Sequence, residues 1–370
     1  MKQFIPLLIA LLFLGILVGA NIYLTKRFVW YYGIDNKRPS YILFASSTLF
    51  MIAGVIAFSN STGVMGHLLY GAAAIIMGFL LYLLISVILV DIISFIIKLH
   101  PKWYGFAALI LAATVSAYAI WNSYKIRTAE IEVGIKGLNQ EVKAMHLTDI
   151  HLGHFRGEGF LQRIVELTKE QQVDMVLITG DLFDGKIRLY DESLEPLKRL
   201  NIPVYFVAGN HDRYSGVDQV KNKLQATGVK VLENEVVSLA EFQIIGLAHM
   251  LADTVTYDMH TSDEYATIKS VLAGLQTEAD KPTILLHHSP DGIQYANEKG
   301  VDLYLAGHTH GGQLFPINYL GELLYTYNKG LFNYKGTKIY VSQGAGTFGP
   351  PMRFGTNSEI TLVRFIPEIQ

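Results

Sequence analysis

The sequence predicts an α/β domain carried behind four membrane-crossing helices. Three observations support this: long apolar runs crowd the first third, shorter runs alternate with amphipathic stretches afterwards, and five of the later runs end on histidine, aspartate or asparagine. With 370 residues, 51% hydrophobic and only 17% charged, the chain is long for one average domain and too apolar for an ordinary soluble one.

The apolar runs come first in the chain. Phe4–Leu24, Tyr41–Phe58, Leu68–Ile97 and Tyr104–Trp121 each approach or exceed the roughly 20 apolar residues needed to cross a bilayer. None has a polar face, so none can serve as the half-buried helix of a soluble core. A cleaved signal peptide is the rival reading for the first run, with "VGA" before Asn21 as its cleavage site. Lys26, Arg27, Lys37 and Arg38 follow span one, Lys98 and Lys102 follow span three, and the loop Ser59–Gly66 has no basic residue. Positive loops stay inside. Lys2 and Lys125–Arg127 weaken the contrast without reversing it, so both termini are expected outside the cytoplasm. Asp91, within the third run, is expected near the interface or paired with a neighbouring helix, with an intramembrane function as the alternative.

After Trp121 the composition turns soluble, which divides the chain into a four-helix membrane domain, 1–124, and a second domain, 125–370. Strands are expected at Val142–Leu147, Met175–Thr179, Val204–Val207, Gln243–Leu247, Thr283–Leu286, Leu303–Leu305, Lys338–Val341 and Ile360–Arg364. Helices are expected at Phe160–Gln171, Glu192–Leu200, Val217–Ala226, Glu264–Leu275 and Gly292–Glu298. Such alternation builds α/β folds.

Several chemistries are excluded at once. A net charge of -2 and no run of Lys and Arg leave no footprint for nucleic acid. The absence of cysteine removes disulfides, thiolate nucleophiles and Cys-based zinc sites. What remains gathers at strand ends: Asp149 and His151 in "LTDIH", Asp181 and Asp184 in "ITGDLFD", Asn210 and His211 in "VAGNHD", His287 and His288 in "LLHHSPD", His308 and His310 in "LAGHTHGGQ". Ligands at the strand ends of open α/β sheets converge on one crevice. Carboxylate, amide and imidazole donors without thiolate suit manganese first, with iron or zinc as alternatives. They are too many for one ion. Two ions about 3.5–4 Å apart, sharing a carboxylate, would use them and clamp a phosphoryl group for in-line displacement.

The blocks D-x-H, G-D-x-x-D, G-N-H-D, H-x-P and G-H-T-H, in this order and spacing, resemble the calcineurin-like metallophosphoesterase superfamily. "GHTHGGQ" and the tail "YVSQGAGTFGPPMRFGTNSEITL" are similar to its membrane-associated bacterial branch, and the likeness spans Lys143 to Arg364. It implies an α/β/β/α sandwich with metals at the strand ends. It also implies one ion on Asp149, His151, Asp181 and His310 and another on Asp181, Asn210, His288 and His308, with Asp181 bridging. His211 would stabilise the phosphate and protonate the leaving oxygen, its ring oriented by Asp184. Family spacing, two residues before Pro290, selects His288 over His287. His146, His249 and His260 fit no block and are expected to be structural, whereas His154, Arg156 and Arg353 would either touch substrate phosphate or be solvated.

The activity so implied is phosphate mono- or diester hydrolysis by a hydroxide formed between two divalent cations, without a phosphoenzyme. Membrane attachment favours a lipid-linked or envelope substrate. The rival is a membrane sensor whose phosphoesterase domain binds a phosphorylated ligand without turnover. The aromatic-rich stretch "LFPINYLGELLYTYNKGLFNY" forms either an apolar groove or membrane-docking rim, or a packed insertion.

Overall fold

The computed structural model describes residues 5–187, 192–256 and 266–368. Contacts divide the chain into two compact units: one ends at Trp121 and takes in Gly349–Met352, and the other begins at Asn122 and omits that tetrapeptide.

The first unit holds α1 (Ile5–Tyr32), α2 (Arg38–Phe58), α3 (Val64–Ser94) and α4 (Pro101–Tyr124, whose last turn belongs to the second unit). All four are long and apolar enough to cross a membrane. Their interior mixes small residues, among them Ala73, Ala74, Ala108 and Ala112, with aromatic ones such as Tyr31, Phe44, Tyr82 and Tyr104, while Leu12, Ile42, Ile56, Leu68 and Ile110 face outward. An outer surface this apolar suits a lipid solvent. A Cβ on Gly54 of α2 would meet the Ala73 Cβ of α3, so glycine here lets the two backbones close up. Asp91 of α3 accepts hydrogen bonds from Tyr23, Arg27 and Tyr31 of α1. It is thus paired with a neighbouring helix, one of the two placements the sequence left open.

The second unit is a sandwich of two six-stranded mixed sheets. Its strands are β1 (Ile126–Ile135), β2 (Val142–Leu147), β3 (Met175–Thr179), β4 (Val204–Val207), β5 (Lys230–Val231), β6 (Glu235–Ser238), β7 (Gln243–Gly246), β8 (Thr283–Leu286), β9 (Leu303–Ala306), β10 (Gly330–Tyr334), β11 (Thr337–Val341) and β12 (Ser358–Pro367). The orders are β1-β12-β2-β3-β4-β5 and β10-β11-β9-β8-β7-β6. Within them β2, β3 and β4 run parallel, as do β7, β8, β9 and β11. Leu177, Val207, Ile244, Leu286, Leu305 and Val363 fill the space between the sheets. The outer face of the first sheet packs on α5 (Glu158–Glu170) and α6 (Asn210–Gln225), through Leu161, Val165, Val220 and Leu224. The outer face of the second packs on α7 (Ile268–Gly274) and α8 (Ile293–Glu298) through Ile268, Leu272, Ile293 and Ala296. The α/β/β/α expectation is met.

Three helices differ from expectation. Glu192–Leu200 contains only a 3₁₀ turn, Glu195–Arg199, with Pro196 in its first turn lacking the N–H that a longer helix needs. Val217–Ala226 is the second half of α6, which starts at Asn210 and breaks at Gly216, where φ is 104°. The stretch expected from Glu264 becomes helical at Ile268, capped by Thr267, whose hydroxyl accepts from the Ser270 N–H. Its first two positions, and His260, lie outside the described residues. Edge strands β1, β5, β6 and β10 and the helix α9 (Ile317–Leu324) had no expectation of their own.

Candidate metal centre

The parallel strands stop together, and the loops after them carry the polar blocks. These loops are tied to one another: the Asp149 N–H donates to the Gly180 carbonyl, the His151 N–H to that of Asp181, and the Gly307 N–H to that of His288. Backbone thus sets side-chain spacing before any side-chain bond forms. Asp149, His151, Asp181, His308 and His310 all adopt positive φ, between 51° and 73°. That left-handed region costs a non-glycine residue about 1–3 kcal/mol and is found where surrounding structure imposes it.

Two nests result. In the first, ligating atoms of Asp149, His151 and His310 lie within 4.8 Å of one another; in the second, those of Asp181, His288 and His308 do. Asp181 Oδ2 stands between them, 3.1 Å from His288 Nε2 and 3.7 Å from His151 Nε2. Its Oδ1 accepts the His211 backbone N–H at 2.9 Å.

The donor atoms fit divalent cations. Asp149 Oδ2 is held by the Thr148 hydroxyl and the His308 N–H, both at 2.9 Å, which leaves Oδ1 buried and without a hydrogen-bond partner. Asn210 Oδ1 is buried and unpaired as well. Buried oxygens without partners are costly unless something positive meets them. His151 Nε2 faces His310 Nε2 at 3.1 Å, and His288 Nε2 faces His308 Nδ1 at 3.2 Å. Two ring nitrogens brought that close offer converging lone pairs. His288 Nδ1 lies 2.7 Å from the Thr179 carbonyl; donating its hydrogen there leaves the Nε2 lone pair aimed into the nest. His287 turns away, its Nδ1 engaged with the Tyr304 hydroxyl and the Ser289 carbonyl.

The electrostatics agree. Burial pushes Asp149 up to about 6. Burial alone would pull His288 down, but the charge of Asp181, a hydrogen bond to it, and the charge of Asp149 raise it to about 10. A field that holds a proton this firmly holds a cation in its place.

His211 stands beside the first nest, its Nδ1 3.3 Å from Asp184 Oδ1. Burial lowers its pKa, yet Asp181 and the Asp184 hydrogen bond lift it to about 9. These carboxylates favour the imidazolium form of the ring, and adjacent metal charge would oppose it.

Several residues did not emerge from the sequence in their structural roles. Asp212, the last residue of the G-N-H-D block, is fully buried and accepts the backbone N–H groups of Asp181, Leu182, Phe183 and Gly209, so it clamps two ligand loops with one carboxylate. Arg156 and Arg353 are not solvated: they are 2% and 0% exposed. Arg156 donates to Thr347 and to the Ser123 carbonyl. Arg353 donates to the carbonyls of His310, Gln343, Gly344 and Gly346, and its Nη2 sits 3.2 Å from His310 Nδ1. Buried carbonyls need donors, and a guanidinium supplies five N–H groups in a fixed fork. His154 is half-buried. His146 is a core histidine, hydrogen-bonded to Thr179 and driven by burial down to about 3, hence neutral. His249, also buried, lies beside the second nest, its ring 6.3 Å from that of His308. Around the mouth stand Phe348, 5.1 Å ring to ring from His211, Tyr214, and Tyr325, whose hydroxyl is 3.5 Å from His308 Nε2.

Arg353→Ala is expected to strip the donor from four carbonyls, costing about 3 kcal/mol or more. A lowered unfolding midpoint together with reduced metal occupancy checks it; an unchanged midpoint refutes it.

A profile of the calcineurin-like phosphoesterase family matches residues 142–312, from the start of β2 through the metal loop after β9. A metallophosphoesterase of Aquifex aeolicus is 32% identical over 262 residues, which cover 69% of this chain and 97% of that one. The chain belongs to the calcineurin-like phosphoesterase family. A metallophosphoesterase of Helicobacter pylori is 37% identical over 246 residues; the aligned region is 65% of this chain and spans 64% of the relative's length. A transmembrane protein with metallophosphoesterase domain from Danio rerio is 32% identical over 273 residues, 69% of this chain and 61% of its own. The match of this calcineurin-like chain to the family profile ends at Gly312, so Arg353 and Phe348 lie outside it.

Proposed function

We propose that this chain is a membrane-bound, binuclear metal-dependent phosphoesterase, with residues 1–124 as a multi-pass anchor and 125–370 carrying the chemistry. The observation that supports it is the pair of nests with Asp181 Oδ2 standing between them. Asp149, His151, Asp181 and His310 would hold one ion and Asp181, Asn210, His288 and His308 the other, with manganese first by donor hardness and iron or zinc next. When bound, such a pair supplies Lewis acidity and a nucleophilic oxygen near neutral pH. The protein's own part is distinct. Asp181 keeps the two nests adjacent; Asp184 fixes Nδ1 of His211; and the other ring nitrogen of His211 is left to stabilise phosphoryl charge and to deliver a proton to the leaving oxygen. All seven ligand positions carry metal-binding side chains, which favours turnover over mere sensing.

Turnover of bis-p-nitrophenyl phosphate against p-nitrophenyl phosphate by full-length, manganese-loaded protein tests the activity and separates diesterase from monoesterase. No hydrolysis of either, with both ions bound, would overturn it. The membrane anchor favours a lipid-linked or envelope substrate over a freely diffusing one.

The domain is proposed to face away from the cytoplasm. Six basic residues flank the first and third inter-span loops and none lies in Ser59–Gly66, and an even number of spans puts both ends on one side. Protease added to spheroplasts should remove a tag placed after Gln370. Protection until the membrane is ruptured would reverse the topology while leaving the chemistry intact.

A further inference from the structure

α9 is built inside out. Its sequence, INYLGELL, turns Asn318 and Gly321 inward and leaves Leu323 82%, Leu324 67%, Tyr319 56%, Leu320 55% and Ile317 42% exposed. Phe315, just before the helix, is also exposed and its ring lies 5.9 Å from that of Tyr319. A soluble helix of this hydrophobicity would bury its leucines, each worth about 1.5–3 kcal/mol when fully removed from water. Exposed patches of this kind mark a contact.

We propose that α9 docks into the headgroup–acyl boundary of the bilayer, by apolar insertion rather than attraction to anionic lipid. Four bilayer-length helices on the same chain name the occupant, since only Lys125 separates the end of α4 at Tyr124 from the start of β1 at Ile126. A tether that short keeps the domain at the lipid surface. The helix itself has no Lys or Arg, and its Glu322 is 3.9 Å from Lys329 of the following loop, so charge contributes little.

Both ends of α9 reach the metal loop. Gly312, two residues after His310, has no Cβ and so lets the Asn318 backbone lie against it; Tyr325, the residue after the helix, reaches His308. Docking α9 therefore brings the mouth of the centre to lipid headgroups. That use depends on the proposed activity, whereas the docking does not.

The chain has no cysteine, so one introduced thiol gives one labelled site. Leu323→Cys and, as control, Glu278→Cys, which is 59% exposed and linked to Gln243 at the opposite, N-terminal end of β7, would each carry an environment-sensitive fluorophore in full-length protein. In phosphatidylcholine vesicles containing nitroxide-labelled phosphatidylcholine, the label at 323 should be blue-shifted and quenched several-fold more than that at 278. High salt should leave the difference intact, and adding Leu320→Glu should remove it while metal content is retained. Equal quenching at both sites overturns the docking. A blue shift at 323 without lipid quenching also overturns it, because it identifies a protein partner such as a second copy. None of these readouts uses hydrolysis, so a failed docking is distinguishable from a failed activity.

Discussion

Removal of divalent ions from the purified protein is expected to reduce phosphoester hydrolysis to background, and readdition is expected to restore it at two ions per chain. The nests explain the size of the effect. Asp149 Oδ1 and Asn210 Oδ1 are buried with no hydrogen-bond partner, and paired imidazoles converge at 3.1 and 3.2 Å, so the donors are arranged to receive cations. Asp181→Asn should reproduce much of the loss by lowering occupancy, because it removes the one carboxylate oxygen that faces both nests. Elemental analysis alongside turnover decides the matter. One ion per chain with full activity would refute the binuclear scheme.

His211→Ala separates binding from chemistry. The variant should keep both ions and lose roughly 10²-fold or more in turnover, the scale of a lost general acid. Its backbone N–H, not its ring, is the group bonded to Asp181 Oδ1, and alanine keeps that N–H, so the bridging carboxylate stays in place. Asp184→Asn should give a smaller loss. The amide can still hold the ring, but the Asp184 charge, which adds to that of Asp181 in raising the pKa of His211, is gone. If His211→Ala empties the site instead, the ring is a ligand and the role assigned to it is wrong.

The strands bearing the candidate ligands were legible because each is a short apolar run that stops on a polar residue, and those stops gather in the candidate site. Edge strands such as β5, two residues long, carry too few side chains to show a period. Arg353 illustrates a different limit. An arginine in a glycine-rich tail reads as surface or phosphate contact, and only the folded loop shows four carbonyls waiting for it. In α9, Ile317, Leu320 and Leu324 have the spacing of a helix that faces a core. Periodicity reports that one face is apolar; it does not report whether protein lies on that side. Asp212 was visible as part of a motif, but its clamp on two loops is a backbone contact that sequence cannot display.

The left-handed backbone at Asp149, His151, Asp181, His308 and His310 also bears on how such a centre is inherited. Valine, isoleucine and threonine are disfavoured there whatever their chemistry, while glycine, asparagine and aspartate can take over the conformation at little cost. Decay of the centre in a descendant lineage would therefore run along a narrow track, histidine giving way to glycine or asparagine while the loops kept their shape. A retired relative would look like this protein in outline and betray itself only by which small residues occupy these five left-handed positions.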